Sequence, residues 1–170
     1  MLIGMMGAGK SSVGSCLHRR TGLALLDTDE MVASKLGMSI PEIFAQHGEN
    51  KFREAETEAL CSVPTTEQTI TVTGGGIVLH EKNIKIIKKL GVAVWLDADE
   101  ETLFARALQK PNRPLLQAKN PRAVFSEIFH TRTSVYARTA DIRLDTSQLT
   151  AEEVATAILS KLGRLSRKPG

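Results

Sequence analysis

Apolar residues in this chain fall into short runs, separated by longer segments in which they recur at helical spacing, as Val13 and Leu17 do. Short apolar runs are typical of buried strands, and a spacing of three or four residues is typical of amphipathic helices. The runs predict five strands, at residues 1–3, 23–26, 69–73, 92–96 and 141–144. The segments between them predict helices at residues 11–20, 31–36, 39–48, 49–61, 81–90, 100–109, 121–138 and 150–163.

Strands that alternate with helices along the whole chain favour one fold class. Two parallel strands need a long crossover between them, and a helix normally supplies it. We therefore expect an α/β fold with a five-stranded parallel sheet and helices on both faces. The 170 residues have room for one domain, which we expect to span residues 1–170. The first strand has only three residues before a glycine, so either it is short or the natural chain starts upstream.

Two local signals refine the element boundaries. Ser39 followed by Pro41 and Glu42 is a capping-box pattern, which predicts a helix start at that point. Residues 110–120 combine prolines, asparagines and basic residues, which predicts a mobile loop.

Composition narrows the class of protein. Hydrophobic residues make up 42% and charged residues 24%, an ordinary balance for a globular enzyme. The net charge of +3 suits an enzyme that handles anions and is too small to indicate nucleic acid. Cys16 and Cys61 lack metal-type spacing, so we expect two buried or half-buried thiols. No apolar stretch is long enough to span a membrane and no signal peptide is evident, so we expect a soluble, cytoplasmic monomer; an organellar protein stripped of its transit peptide would look the same.

The first glycines of the chain belong to a phosphate-binding motif. Residues 4–11 read Gly-Met-Met-Gly-Ala-Gly-Lys-Ser, a full match to G-x-x-x-x-G-K-[ST] between a strand and a helix. Glycines allow successive backbone N–H groups to face an anion, and the helix N-terminus favours negative charge. Lys10 can reach the β and γ phosphates, and the Ser11 hydroxyl is a suitable ligand for Mg²⁺. The motif predicts NTP binding, for which ATP with Mg²⁺ is suitable, and does not identify the acceptor of the phosphoryl group or whether it is water.

Two carboxylates follow the second predicted strand, at Asp27 and Asp29. In an open α/β sheet, ligands bind beyond the carboxyl ends of the strands, where the phosphate loop also lies. Asp27 could hold Mg²⁺ and Asp29 could meet an acceptor hydroxyl. Alternatively, one of them caps the helix that follows.

Several motifs, taken together and in order, resemble the shikimate kinase family. Besides the phosphate loop and the Asp-Thr-Asp sequence, they are Phe52-Arg53-x-x-Glu56, Gly74-Gly75-Gly76, Arg113-Pro114-Leu115-Leu116, and Arg132 followed by Tyr136 and Ala140-Asp141. The resemblance covers nearly the whole chain. It implies a P-loop NTPase-type three-layer sandwich with a substrate-binding helical insertion near residues 30–60 and a lid near residues 110–120. The implied reaction is the ATP-dependent phosphorylation of the 3-hydroxyl of shikimate.

The resemblance also implies a role for each matching residue. Lys10, Asp29 and Arg113 would be catalytic, with Arg113 closing over the phosphates from the lid. Asp29 would receive shikimate hydroxyls, and Arg53 and Arg132 would hold the carboxylate, which suits planar guanidinium groups. The implied contacts are Gly7, Ala8, Gly9, Lys10, Ser11, Ser12, Arg106 and Arg113 for ATP, Asp29, Arg53, Gly75, Gly76 and Arg132 for shikimate, and Ser11 and Asp27 for Mg²⁺.

Other interpretations stay open at this point. Judged without the resemblance, Arg53 and Arg132 would be exposed surface residues, solvated or paired with a neighbouring carboxylate. Around Tyr136, the chain has Ser134-Val135 where the family often has Pro-Leu, and Arg138 where an acid is common. The alternatives are another small P-loop kinase, such as a gluconate kinase, and a non-catalytic nucleotide-responsive binding protein on the same fold. A GTPase is disfavoured because the chain has no N-K-x-D motif.

Overall fold

The computed structural model of the chain describes residues 1–109 and 114–165. Five strands form one parallel sheet, in the order β2-β3-β1-β4-β5. The strands are β1 (Leu2–Ile3), β2 (Ala24–Asp27), β3 (Thr69–Val72), β4 (Val94–Asp97) and β5 (Ile142–Asp145). The helices are α1 (Lys10–Thr21), α2 (Thr28–Leu36), α3 (Ile40–Cys61), α4 (Glu81–Leu90), α5 (Glu100–Leu108), α6 (Pro121–Thr139) and α7 (Ala151–Leu165). The α/β fold expected from the alternation of elements is confirmed.

The first strand is short and lies at the centre of the sheet. Leu2 pairs with Val72 of β3 on one side and with Val94 of β4 on the other. Both β1 residues are buried, and the main hydrophobic core forms around them on the two faces of the sheet. Because β1 is central and parallel to its neighbours, the loop that follows it emerges at the carboxyl edge of the sheet, between the ends of β3 and β4.

A second, smaller core holds α2 and α3 together. Its buried members include Val32 on α2 and Ile43 and Phe52 on α3. Ser39 caps α3 and forms the expected capping box with Glu42. Gly48 leaves helical geometry inside α3, so the two helices predicted on either side of it meet there at a kink. Helices α2 and α3 therefore pack partly against each other, in the region expected to bind substrate.

One local prediction was wrong. Cys16 is buried, but Cys61 is exposed rather than buried or half-buried, because it lies in the last turn of α3. Within the region predicted as a loop at residues 110–120, Pro114–Leu116 form a short 3-10 turn. None of the described helices has both the length and the apolar character required to cross a bilayer.

Candidate active site

The phosphate loop leaves β1 and turns into α1 at the carboxyl edge of the sheet. Gly7 has φ +86°, and a Cβ there would lie 2.2 Å from the backbone oxygen of Leu103 on α5. Only glycine combines that φ with such a close approach to backbone. The loop is therefore held against α5 in a conformation that a larger residue would disrupt, and its next residues begin α1, whose N-terminus favours phosphate.

Lys10 is the first residue of α1 and lies back over the loop. Its Nζ donates to the carbonyl oxygens of Gly4 and Met5, at 2.8 Å and 3.0 Å. These bonds keep the ammonium group at the wall of a cavity of about 360 Å³. The cavity brings together most of the residues predicted for nucleotide and metal, namely Gly7, Ala8, Gly9, Lys10, Ser11, Ser12, Asp27 and Arg106, and it also includes Asp29, which was predicted to meet the acceptor.

Asp27 caps the helix that follows it and also lines the cavity. Its Oδ1 accepts a hydrogen bond from the backbone N–H of Asp29 at 2.9 Å, which caps α2. The same side chain lines the cavity together with Ser11. Two hard oxygen ligands beside a phosphate site match the way Mg²⁺ is usually held, with water and phosphate oxygens completing its coordination.

Arg106 was predicted from the sequence, but the residues beside it in the cavity wall were not. Arg106 reaches from α5 to the segment after β5, where its Nη2 donates to the backbone oxygens of Thr146 and Ser147, both at 3.0 Å. That segment and the start of α7 contribute Thr146, Leu149, Ala151 and Val154 to the wall. No motif marks these residues in the sequence, because they line the cavity only once α7 packs beside α1.

Two arginines from distant helices meet beside the three glycines that follow β3, Gly74–Gly76, which we call the glycine run. Arg53 on α3 is 8% exposed and Arg132 on α6 is 5% exposed, so the surface interpretation of both is wrong. They line a second cavity with Asp29, Gly75 and Gly76. Asp29 and Gly75 also line the cavity beside Lys10, which we call the nucleotide cavity. The two cavities therefore adjoin along residues that were predicted to meet the substrate.

The two guanidinium groups differ in their partners. Arg53 is held by two carboxylates of its own helix, Glu56 and Glu49, the latter with an Nη2–Oε1 distance of 2.8 Å. Within residues 1–109 and 114–165, no ion pair engages Arg132. Arg132 acts on Glu56 only at a distance, where its charge lowers the pKa of that carboxyl. A buried cation without a direct ion pair is stabilised when an anion reaches it. Arg132 is therefore well suited to an anionic ligand.

Glu56 is a buried charge that the sequence analysis did not assign to the site. It is fully buried, and its Oε2 pairs with Arg53. Its Oε1 has no hydrogen-bond partner among the described residues. Burial raises the pKa of Glu56 from 4.5 to about 7, although the nearby charge of Arg53 acts in the opposite direction. In the sequence, the i, i+3 spacing from Arg53 and the Phe52-Arg53-x-x-Glu56 motif are the signals that point to this pair.

The raised pKa of Glu56 predicts a pH dependence of stability. The folded protein binds this proton more tightly than the unfolded chain, so the contribution of Glu56 is complete below pH 4.5 and is lost as the pH rises to about 7. The unfolding free energy of the wild type, minus that of Glu56→Gln, should fall by about 1–3 kcal/mol between pH 4.5 and 7. Urea unfolding of both proteins across this range measures it. A difference that stays constant or grows would contradict the assignment.

Gly74 packs directly against the acidic groups of the site. A Cβ at this residue would lie 2.3 Å from Oε1 of Glu56 and 2.5 Å from Oδ1 of Asp29. Gly74→Ala should therefore destabilise the protein by about 1–3 kcal/mol, since the fully buried Glu56 and the half-buried Asp29 would both have to shift to admit the methyl group. The matched control is Gly163→Ala on α7, where a Cβ would meet no described atom within 4 Å and should stabilise the helix by about 0.5–1 kcal/mol. Equal unfolding free energies for Gly74→Ala and the wild type would show that the loop has room to adapt.

One predicted site residue cannot be placed. Arg113 and the start of the predicted lid lie outside the described residues. Beyond them, Leu115 lines the second cavity and Asn120 caps α6 through its Oδ1. The middle of the lid region, at Leu115, therefore lies beside the cavity that holds Arg53 and Arg132.

Comparison with known proteins agrees with this arrangement. A family model described as Shikimate kinase matches residues 6–163 of the chain. The shikimate kinase of Thermodesulfovibrio yellowstonii is 42% identical over 166 residues, covering 98% of this chain and 95% of the relative. That of Moorella thermoacetica is 43% identical over 162 residues, covering 95% of this chain and 92% of the relative. The solved structure of shikimate kinase from Acinetobacter baumannii in complex with shikimate is 34% identical, has a TM-score of 0.93, and covers 98% of this chain and 93% of that one.

Proposed function

This chain belongs to the shikimate kinase family, and we propose that it transfers the γ-phosphoryl group of ATP to the 3-hydroxyl of shikimate. The observation that supports this most strongly is the junction of the two cavities. A phosphate loop adjoins a subsite with two buried guanidinium groups, and Asp29 lies on the boundary between them. A small hydroxylated carboxylate bound in the second cavity would place a hydroxyl near the phosphates.

The nucleotide half of the site binds and neutralises phosphate. Backbone N–H groups of residues 7–12 would surround the triphosphate, and Lys10 would place its charge on the β and γ phosphates. Ser11 and Asp27 would hold Mg²⁺, which neutralises charge on the phosphate oxygens. Arg106 and the segment after β5 would contact the rest of the nucleotide from another part of the wall.

The acceptor half of the site orients the ring of shikimate. Arg53 and Arg132 would grip its carboxylate, with backbone contacts from Gly75 and Gly76. Asp29 would accept the proton of the 3-hydroxyl as that oxygen attacks the γ-phosphorus and the bond to the β,γ-bridging oxygen breaks. Such a transfer depends mainly on alignment and charge stabilisation, which this arrangement supplies.

Arg113 keeps the role predicted from its motif. On a closing lid, its guanidinium would arrive over the phosphates only after both substrates are bound. Closure would also exclude water, which otherwise competes with shikimate for the phosphoryl group.

Release of ADP by the wild-type protein tests this proposal. With ATP and Mg²⁺ present, we expect rapid ADP release with shikimate and little with gluconate or without an acceptor. Phosphorus NMR of the product should show a new ester at the 3-oxygen. Release with gluconate alone would favour a different small kinase, and ATP binding without transfer to either acid would indicate a non-catalytic binding protein.

A further inference from the structure

Two buried hydroxyl groups form hydrogen bonds to the glycine run after β3, one to Gly74 and one to Gly75. The Thr28 Oγ1, on the first residue of α2, accepts a hydrogen bond from the Gly74 N–H at 3.1 Å. The Tyr136 hydroxyl, on α6, donates a hydrogen bond to the Gly75 carbonyl oxygen. Both side chains are fully buried, so neither is available to contact a ligand.

The bond from Tyr136 determines where a neighbouring N–H points. The Gly75 carbonyl and the Gly76 N–H belong to one planar trans peptide, so they point in opposite directions. Fixing the carbonyl towards Tyr136 therefore directs the Gly76 N–H away from α6. In the described part of the chain, no protein acceptor takes the N–H of Gly75 or of Gly76.

Both of these glycines lie next to the cations of the second cavity. A Cβ on Gly76 would be 2.2 Å from Nη1 of Arg53, and a Cβ on Gly75 would be 3.5 Å from Nη1 of Arg132. The glycine run thus combines two available amide donors with two guanidinium groups. An anion that binds the guanidinium groups would meet these amides only if the peptide planes keep their orientation.

We propose that Thr28 and Tyr136 are positioning residues: the Thr28 hydroxyl anchors the Thr73–Gly74 peptide and the Tyr136 hydroxyl anchors the Gly75–Gly76 peptide, so that the Gly75 and Gly76 amides between and after these anchors face the carboxylated acceptor. This inference rests on the proposed function, because it concerns the same acceptor. Burial raises the pKa of Tyr136 to about 12, so its hydroxyl stays protonated and can donate at any working pH. All three residues of the Asp27-Thr28-Asp29 sequence would then contribute to the site.

Conservative substitutions separate this role from packing. The ring of Tyr136 stacks on Trp95 with centroids 5.9 Å apart, and Tyr136→Phe keeps that contact while removing the hydroxyl. Thr28→Val keeps the volume of the side chain, and Thr28→Ser keeps its hydroxyl. The matched control is Thr139→Val, because Thr139 is fully buried on α6 and, among the described residues, its hydroxyl bonds only to Val135 O of the same helix, at 2.7 Å.

The test measures KM for shikimate and for ATP, together with the shikimate Kd by calorimetry, for the wild type and all four variants. Tyr136→Phe and Thr28→Val should each raise KM and Kd for shikimate about 3- to 10-fold, the effect of losing one buried hydrogen bond. KM for ATP should stay within about twofold of the wild type, as should both constants in Thr28→Ser and Thr139→Val.

Three outcomes would overturn the inference. Unchanged KM and Kd for shikimate in both variants would show that the peptides hold their orientation without the hydroxyls. Equal rises in the two KM values, or the same rise in Thr139→Val, would show a general loss of packing. A wild type that neither binds nor phosphorylates shikimate would defeat the proposed function and this inference together, whereas an active wild type with unaffected variants defeats the inference alone.

Discussion

Replacing Lys10 with alanine is expected to lower kcat by about 10²- to 10³-fold, the usual effect of removing one donor aimed at charge that develops in the transition state. Lys10 begins α1 and is held at the cavity wall by the Gly4 and Met5 carbonyls, so its charge is already in place when the triphosphate binds. Alanine favours helices, and the substitution removes only a half-buried side chain. The fold should therefore remain intact, as circular dichroism and thermal unfolding would show.

The control for this variant is Lys88→Ala, which removes the same charge from an exposed face of α4. It should leave kcat within about twofold of the wild type. Near-normal turnover in Lys10→Ala, with Lys88→Ala also normal, would refute the assignment of the phosphate loop. A loss of activity in both would point to net charge rather than to the loop.

Replacing Arg53 with methionine is expected to raise KM for shikimate roughly 30- to 3000-fold, which corresponds to the loss of about 2–5 kcal/mol from one buried charge-assisted contact. KM for ATP should change by less than about twofold, because Arg53 lines the second cavity and not the nucleotide cavity. Steady-state kinetics with each substrate varied in turn measure the two values.

The buried pair with Glu56 requires a second variant. Removing Arg53 alone leaves a fully buried carboxylate without its cation, which should destabilise the fold by about 3–5 kcal/mol. Combining Arg53→Met with Glu56→Gln should recover much of that stability and none of the affinity for shikimate. An equal rise in both KM values, or a double variant with wild-type KM for shikimate, would remove Arg53 from the substrate site. Arg138→Ala, an exposed arginine on α6 paired with Glu81, is the control.

The sheet and its helices could be predicted because each depends on a local pattern of apolar residues. The boundaries were less predictable, because side chains and strand partners set them. Helix α2 begins at Thr28 rather than at residue 31, since Asp27 caps it. Strand β4 begins at Val94 rather than at residue 92, since its pairing with β1 starts opposite Leu2.

In the site too, features that depend on consecutive residues could be predicted, and features that depend on packing between distant segments could not. The phosphate loop could be predicted because its residues are consecutive. The burial of Arg53 and Arg132 could not be derived from spacing, because it arises when α3 and α6 pack on either side of the glycine run. The resemblance to a family indicated both arginines, and it did not indicate that Glu56 is fully buried beneath one of them.

A crystal structure of the protein with shikimate and a non-hydrolysable ATP analogue would test the spatial claim most directly. We expect the shikimate carboxylate between Arg53 and Arg132, its 3-hydroxyl within hydrogen-bond distance of Asp29, and the triphosphate within the loop of residues 7–12. A ring bound elsewhere, or guanidinium groups turned away from the carboxylate, would contradict this expectation.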